Sequence, residues 1–166
     1  MKADHLPTSG LRRLWAGLWV LLVVLVLAAC STGENQVRFV TDFESGSIGE
    51  VKQVDDVGLS WQLALRDDND NASLPNSFRT WWHVRADHVP VGQSLRLEFS
   101  RLGFPYYFVP VYSYDGTRWQ HFAESEVALV PGCVIAVPDS CRVVVTKRFD
   151  APTVWIARTF PYTTRD

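Results

Sequence analysis

Beyond residue 29 the sequence has no long apolar run, no sustained helical periodicity and no block of like charge. The first absence leaves the N-terminus as the place to look for export or membrane signals, and the second leaves short strands as the building unit. Basic residues number 16 against 18 acidic ones, a balance that disfavours a nucleic-acid partner. Also missing are a Gly-x-Ser-x-Gly elbow and a phosphate-cradling glycine loop, so nucleophilic catalysis and nucleotide binding have no motif behind them. An enzyme assembled from scattered residues such as Asp87, His88 and His121 has none either. Of the three cysteines only Cys133 and Cys141 lie close together, and no third or fourth ligand stands at metal-site spacing beside them.

What is present begins with Arg12 and Arg13 ahead of an apolar run from Leu14 to Ala29. This charged-then-apolar order is that of a secretory signal, and the run is too short for a membrane span. It ends in Leu27-Ala28-Ala29-Cys30, which resembles the lipobox of bacterial lipoproteins. The resemblance implies cleavage before Cys30 and lipid on the new N-terminal cysteine. The organisation expected is therefore a signal-peptide helix over 1–29, a polar tether over 30–36 and a folded domain over 37–166. The protein would be held to the cell envelope by its lipid, at the outer membrane or cell surface, and Ser31 after the cysteine favours the outer membrane. Without Lys2, Arg12, Arg13 and Asp4, 13 basic residues face 17 acidic ones. Cys133 and Cys141, exported and flanking Pro138-Asp139-Ser140, are expected to pair across a local turn, worth about 2–3 kcal/mol.

The folded part reads as short strands broken by turn residues. Val37 to Glu44 stops at Ser45-Gly46; Ile48 to Val54 follows, then a turn at Asp55-Asp56 with Gly58. Leu59, Trp61, Leu63 and Leu65 alternate with polar residues as a half-buried strand. Phe78 to Ala86 carries Trp81 and Trp82 on opposite faces. Leu95, Leu97 and Phe99 alternate again. Gly103 to Phe122 reads as an aromatic hairpin with a two-residue turn at Asp115-Gly116. Glu126 to Val130, Cys133 to Val137, Arg142 to Lys147 and Val154 to Phe160 complete an all-β, antiparallel sandwich of about ten strands.

Four segments in this order resemble the amino-terminal β-sandwich domain of cytosolic-type zinc metallocarboxypeptidases. They are Phe43-Glu44-Ser45-Gly46-Ser47-Ile48; Phe78-Arg79-Thr80-Trp81-Trp82-His83-Val84-Arg85; Pro110-Val111-Tyr112-Ser113-Tyr114-Asp115-Gly116 with Trp119; and Trp155-Ile156-Ala157-Arg158-Thr159-Phe160-Pro161-Tyr162. In that family the last segment leads into the catalytic domain. No catalytic domain follows within this sequence, so the resemblance brings over no catalytic residue. It implies a non-catalytic module without cofactor or metal, either part of a split or truncated carboxypeptidase or a stand-alone interaction domain. The partners expected are the membrane, through the lipid, and a separately encoded carboxypeptidase domain or another envelope protein. The expected interaction face comprises Trp81, Arg85, Tyr112, Tyr114 and Trp119.

Two sites compete for attention. His121-Phe122-Ala123-Glu124 matches His-x-x-Glu, but on a strand residues three apart point to opposite faces, so the pair does not converge on zinc. Asp67-Asp68-Asn69-Asp70-Asn71 supplies hard oxygens for calcium, yet lacks the glycine and bidentate glutamate of an EF-hand, and reads as a solvated loop. Seven tryptophans raise the alternative of a carbohydrate- or peptidoglycan-binding lipoprotein, with Trp81, Trp119, Tyr106 and Tyr107 as sugar platforms. Most aromatics in a domain of this size are core.

Overall fold

A computed structural model describes residues 36–67, 70–103, 109–134, 137, 140–162 and 164. The expected signal helix, Cys30 and most of the tether lie outside the described residues, as do Asp68, Asn69, Tyr106 and Tyr107. From Val37 onward the chain forms one compact unit.

Alternating apolar residues place ten short strands in two five-stranded sheets. They are β1 (Arg38–Val40), β2 (Val51–Gln53), β3 (Ser60–Ala64), β4 (His83–Asp87), β5 (Ser94–Ser100), β6 (Val111–Ser113), β7 (Gln120–His121), β8 (Val127–Leu129), β9 (Val143–Arg148) and β10 (Thr153–Ala157). The front sheet has the order β1-β4-β10-β6-β7 and the back sheet β2-β3-β5-β9-β8. Their inner faces meet in a core where Leu63, Leu97 and Phe99 of the back sheet face Val84, Val154 and Ile156 of the front. Trp82 stacks on Phe99 with ring centroids 3.9 Å apart, which ties the sheets together. Each such buried side chain is worth about 2–3 kcal/mol against its exposed form.

The sandwich stands as expected, and four local readings are corrected. The expected antiparallel order holds for the pairings described except β3 with β5, which run parallel. The cause is topological, because after β3 the chain crosses to β4 in the front sheet before it returns as β5. The strand expected from Phe78 begins at His83, since Asn76–Phe78 form a 3₁₀ turn and Arg79 is drawn to Asp67 at 2.5 Å. The hairpin forms, with Tyr112 opposite Gln120, but its turn is a loop spanning Tyr114 to Trp119. Ser113 Oγ accepts the Gly116 amide and Asp115 Oδ1 accepts those of Thr117 and Arg118, so two short side chains stabilise the wider turn. Cys133 and Val134 lie outside any strand, and the Cys133–Cys141 disulfide is formed.

Candidate functional site

The outer face of the front sheet departs from the polar pattern expected of a solvated sheet. Along β4, Val84 and Ala86 enter the core, which turns His83, Arg85 and Asp87 outward. His83 is nevertheless only 4% exposed. Its cover is aromatic: the rings of Phe43, Trp119 and Trp81 stand edge-on to the imidazole at 4.8, 5.3 and 6.2 Å.

Each wall comes from a different segment held by its own local device. Phe43 precedes a tight turn in which Ser45 takes φ 63 and Gly46 packs against Thr41, where a Cβ would overlap the Thr41 carbonyl oxygen. Trp81 donates its indole N–H to the Ser45 carbonyl at 2.8 Å. The Ser47 and His83 backbones exchange hydrogen bonds of 2.8 and 3.1 Å, which moor that turn to the start of β4. Trp119 arrives from the β6–β7 loop, whose Asp115 carboxyl the Arg118 and Thr117 amides hold well below the usual carboxylate range.

Beside this box lies an open cleft of about 840 Å³, bounded by Phe43, Glu44, His83, Trp119, Trp155 and the tail from Thr159 to Tyr162. Glu44 accepts hydrogen bonds from the Thr164 amide at 2.8 Å and its hydroxyl at 3.3 Å, so the tail is clasped to the rim. Trp155 is half-buried: Gly116, at φ 73, lies against its indole, and the Arg85 guanidinium sits 5.8 Å from its centroid. Phe160 and Tyr162 remain 46% and 90% exposed.

His83, on the cleft wall, pairs with Ser45, whose Oγ lies 2.9 Å from Nδ1. Burial pushes the imidazole pKa down to about 4, so His83 is neutral at pH 7. A base this weak is poorly suited to activating a serine at neutral pH. His83 Nε2 has no hydrogen-bond partner among the described residues, so no carboxylate orients the ring. The adjacent Gly46 and Ser47 amides are spent on the Phe43 and His83 carbonyls, which leaves them unable to serve an oxyanion. Geometry and protonation suit a structural role.

Of the residues expected to form an interaction face, Trp81, Arg85 and Trp119 do lie on this outer surface. Tyr112 is corrected: it is 7% exposed and packs on Phe122 and Phe149, because it registers with Ile156, whose side chain enters the core. Tyr114 shares that side of the strand and is half-buried, its hydroxyl bonded to the turn at Asp150. Phe43, His83 and Trp155 belong to the site and were not singled out from the sequence. A lone histidine within a strand carries no signal of an aromatic cover that comes from distant segments.

The competing sites resolve differently. His121 Nδ1 lies 3.2 Å from the Val109 carbonyl and its ring meets Phe160, whereas Glu124 opens a separate 3₁₀ turn. Asp67 is taken up by Arg79 and Arg101, and Asp70 by Arg66, so these carboxylates already have cationic partners. Among the described residues no three His, Cys, Asp or Glu side chains are placed to hold a metal.

A family model described as the cytosolic carboxypeptidase N-terminal domain matches residues 39–158. No curated relative matches the chain. Among solved structures, a metallo-carboxypeptidase from Burkholderia cenocepacia is similar over 78% of this chain and 30% of its own, with 18% identity and a TM-score of 0.56. A metallo-carboxypeptidase from Pseudomonas aeruginosa, solved with (2-guanidinoethylmercapto)succinic acid, is similar over 77% of this chain and 31% of its own, at 20% identity and a TM-score of 0.52. At these identities the likeness is one of fold. The chain spans about 30% of the length of these structures.

Proposed function

This chain belongs to the cytosolic carboxypeptidase N-terminal domain family, and on that basis we propose that it is a non-catalytic, lipid-anchored interaction module of the cell envelope. Its partner in this reading is a zinc carboxypeptidase catalytic domain, separately encoded, or another envelope protein, and the aromatic cleft is the docking face. One observation carries the proposal. All four sequence segments that bear the family likeness contribute to the cleft: Phe43 and Glu44 from the first, His83 from the second, Gly116 and Trp119 from the third, Trp155 and Thr159 to Tyr162 from the last.

The chemistry suits a protein partner. Half-exposed aromatics gain most when a partner covers them, and a neutral histidine brings no charge to be desolvated. The glycan reading is weaker, because Trp81 and Trp119, its described platforms, pack against the His83 ring, and Trp81 is held by its indole N–H on the Ser45 carbonyl.

The test is binding of the purified chain to an envelope zinc carboxypeptidase catalytic domain encoded in the same genome. Trp119→Ala should weaken that binding about tenfold or more, as removal of a central aromatic anchor does. Undiminished binding by the variant, or retention of the wild-type chain on insoluble peptidoglycan that the variant loses, would overturn the docking face. For the anchor, Cys30→Ala should release the protein from membranes, and a mature mass without added lipid would refute it.

A further inference from the structure

We infer that the end of the sandwich at which the chain enters rests against the lipid bilayer, with Val54, Val57 and Val91 in contact with it and the tail that borders the cleft leaving from the opposite end. The inference rests on the anchor reading of Cys30. Strand pairing supplies the geometry. β1 starts at Arg38 opposite Asp87, the last residue of β4, so the turn from His88 to Gln93 lies beside the point where Val37 enters. The turn between β2 and β3 lies at the same end: Val54 donates to the Ser60 carbonyl at 2.8 Å, and Leu59 accepts from Arg96, near the start of β5, at 2.8 Å. β10 runs the other way and pairs Ala157 with His83, so the tail that borders the cleft leaves from the far end. The four strand steps between the two levels amount to about 13 Å.

The tips at the near end are apolar. Val54, Val57 and Val91 are 57%, 74% and 54% exposed. Each turn folds back through a glycine at positive φ, Gly58 at 73 and Gly92 at 75, so the valines stand at the tips of tight turns. Single exposed valines need no explanation, but these three stand on turns at the same end of the sandwich. This end carries no excess of positive charge to draw it to lipid headgroups, since Arg38, Lys52 and Arg148 face Asp55, Asp56, Asp87 and Asp150, with Arg38 paired to Asp87 and Asp55 accepting from the Leu59 amide at 3.0 Å. The contact is therefore apolar, and salt has little effect on it.

Tether length decides the occupant. The seven residues from Cys30 to Gln36 reach at most about 25 Å when fully extended. A lipid on Cys30 keeps Val37, and with it the valine-tipped turns, within that distance of the bilayer. The far end, where the tail from Thr159 to Tyr162 leaves β10, is then left free for a partner.

The experiment uses the full chain, processed in a bacterial host and reconstituted into vesicles of phosphatidylethanolamine and phosphatidylglycerol. An environment-sensitive fluorophore is placed at Val57→Cys, Val91→Cys or, as the far-end control, Tyr162→Cys, a position beyond the end of β10 that is 90% exposed. Acyl-brominated lipids should quench the label at positions 57 and 91 about twofold more than at 162, since an interfacial side chain lies within reach of the acyl boundary. The contrast should persist in high salt. Equal quenching at all three positions in protein that floats with the vesicles would overturn the orientation while leaving the anchor intact. Failure of the wild-type chain to float, or flotation of Cys30→Ser to the same extent, would overturn the anchor and this inference with it.

Discussion

On the outer face of the back sheet, Glu98 accepts hydrogen bonds from Arg96 at 2.8 Å, Arg142 at 3.1 Å and the Gln62 amide at 3.2 Å. On the outer face of the front sheet, His83 occupies the comparable outward position and meets three aromatic edges and one serine. Both are buried polar groups on a surface sheet. Glu98 stays charged because its partners outweigh its desolvation: burial pushes its pKa up, and the hydrogen bonds and charges of Arg96 and Arg142 bring it below the ordinary value. His83 has no charged partner among the described residues to offset burial, which lowers its pKa to about 4. The back face surrounds its buried carboxylate with charge, although Arg142 Nε has no partner among the described residues, whereas the front face surrounds its histidine with apolar edges and leaves Nε2 without a partner among the described residues.

The strongest way to break the contrast is through the turn that supplies the aromatic cover. Gly46→Ala forces a Cβ onto the Thr41 carbonyl and should cost about 3 kcal/mol in chemical denaturation, as overpacking against rigid backbone does. It should also unmask His83, whose NMR titration would move back toward the ordinary imidazole range.

Next in size is the acid response of the front face. The unfolded imidazole titrates near 6.5 and the folded one near 4, so the unfolded state binds more protons between these values. Stability is then complete above about pH 6.5 and falls as pH drops toward 4, by up to about 3 kcal/mol. His83→Phe should remove this limb while leaving the acid transition below pH 4, where carboxylates held low by arginine, Glu98 and Asp67 among them, lose their contribution on protonation. Identical pH profiles for variant and wild type between pH 4 and 6.5 would break the comparison.

Removing the hub of the back face should cost less. Glu98→Ala leaves Arg96 and Arg142 unpaired, but both are 37–40% exposed and can turn to water. The expected loss is about 1–2 kcal/mol. The smallest effect is reserved for an ion pair outside both faces: Arg66→Ala removes the partner of Asp70 on the exposed loop and should leave the melting temperature unchanged.

Much of this was legible in advance, and the exceptions share a cause. Alternation at Trp61, Leu63 and Leu65 and again at Leu95, Leu97 and Phe99 marks the inner side of each strand because that period is local. Tyr112 could not be assigned a side from sequence, since in Val111-Tyr112-Ser113 all three residues are buried and no alternation survives. The parallel β3–β5 pairing was hidden because it depends on the intervening strand joining the other sheet. At the site, Trp81, Arg85 and Trp119 stood out as large or charged side chains in aromatic segments, while His83 and Trp155 acquired their significance from neighbours far along the chain, as Phe43, Ser45 and Trp119 do for His83 and Gly116 for Trp155.

By itself the sequence determined the class of fold, the order of strands, the disulfide and the family, because strand periodicity, turn residues and short motifs act over a few residues. Only the tertiary structure decided that four separate motifs meet around one cleft beside a neutral histidine, and that Val37 and the tail that borders the cleft lie at opposite ends of the sandwich. Those facts depend on register and sheet membership, which are settled when distant strands pack and not before.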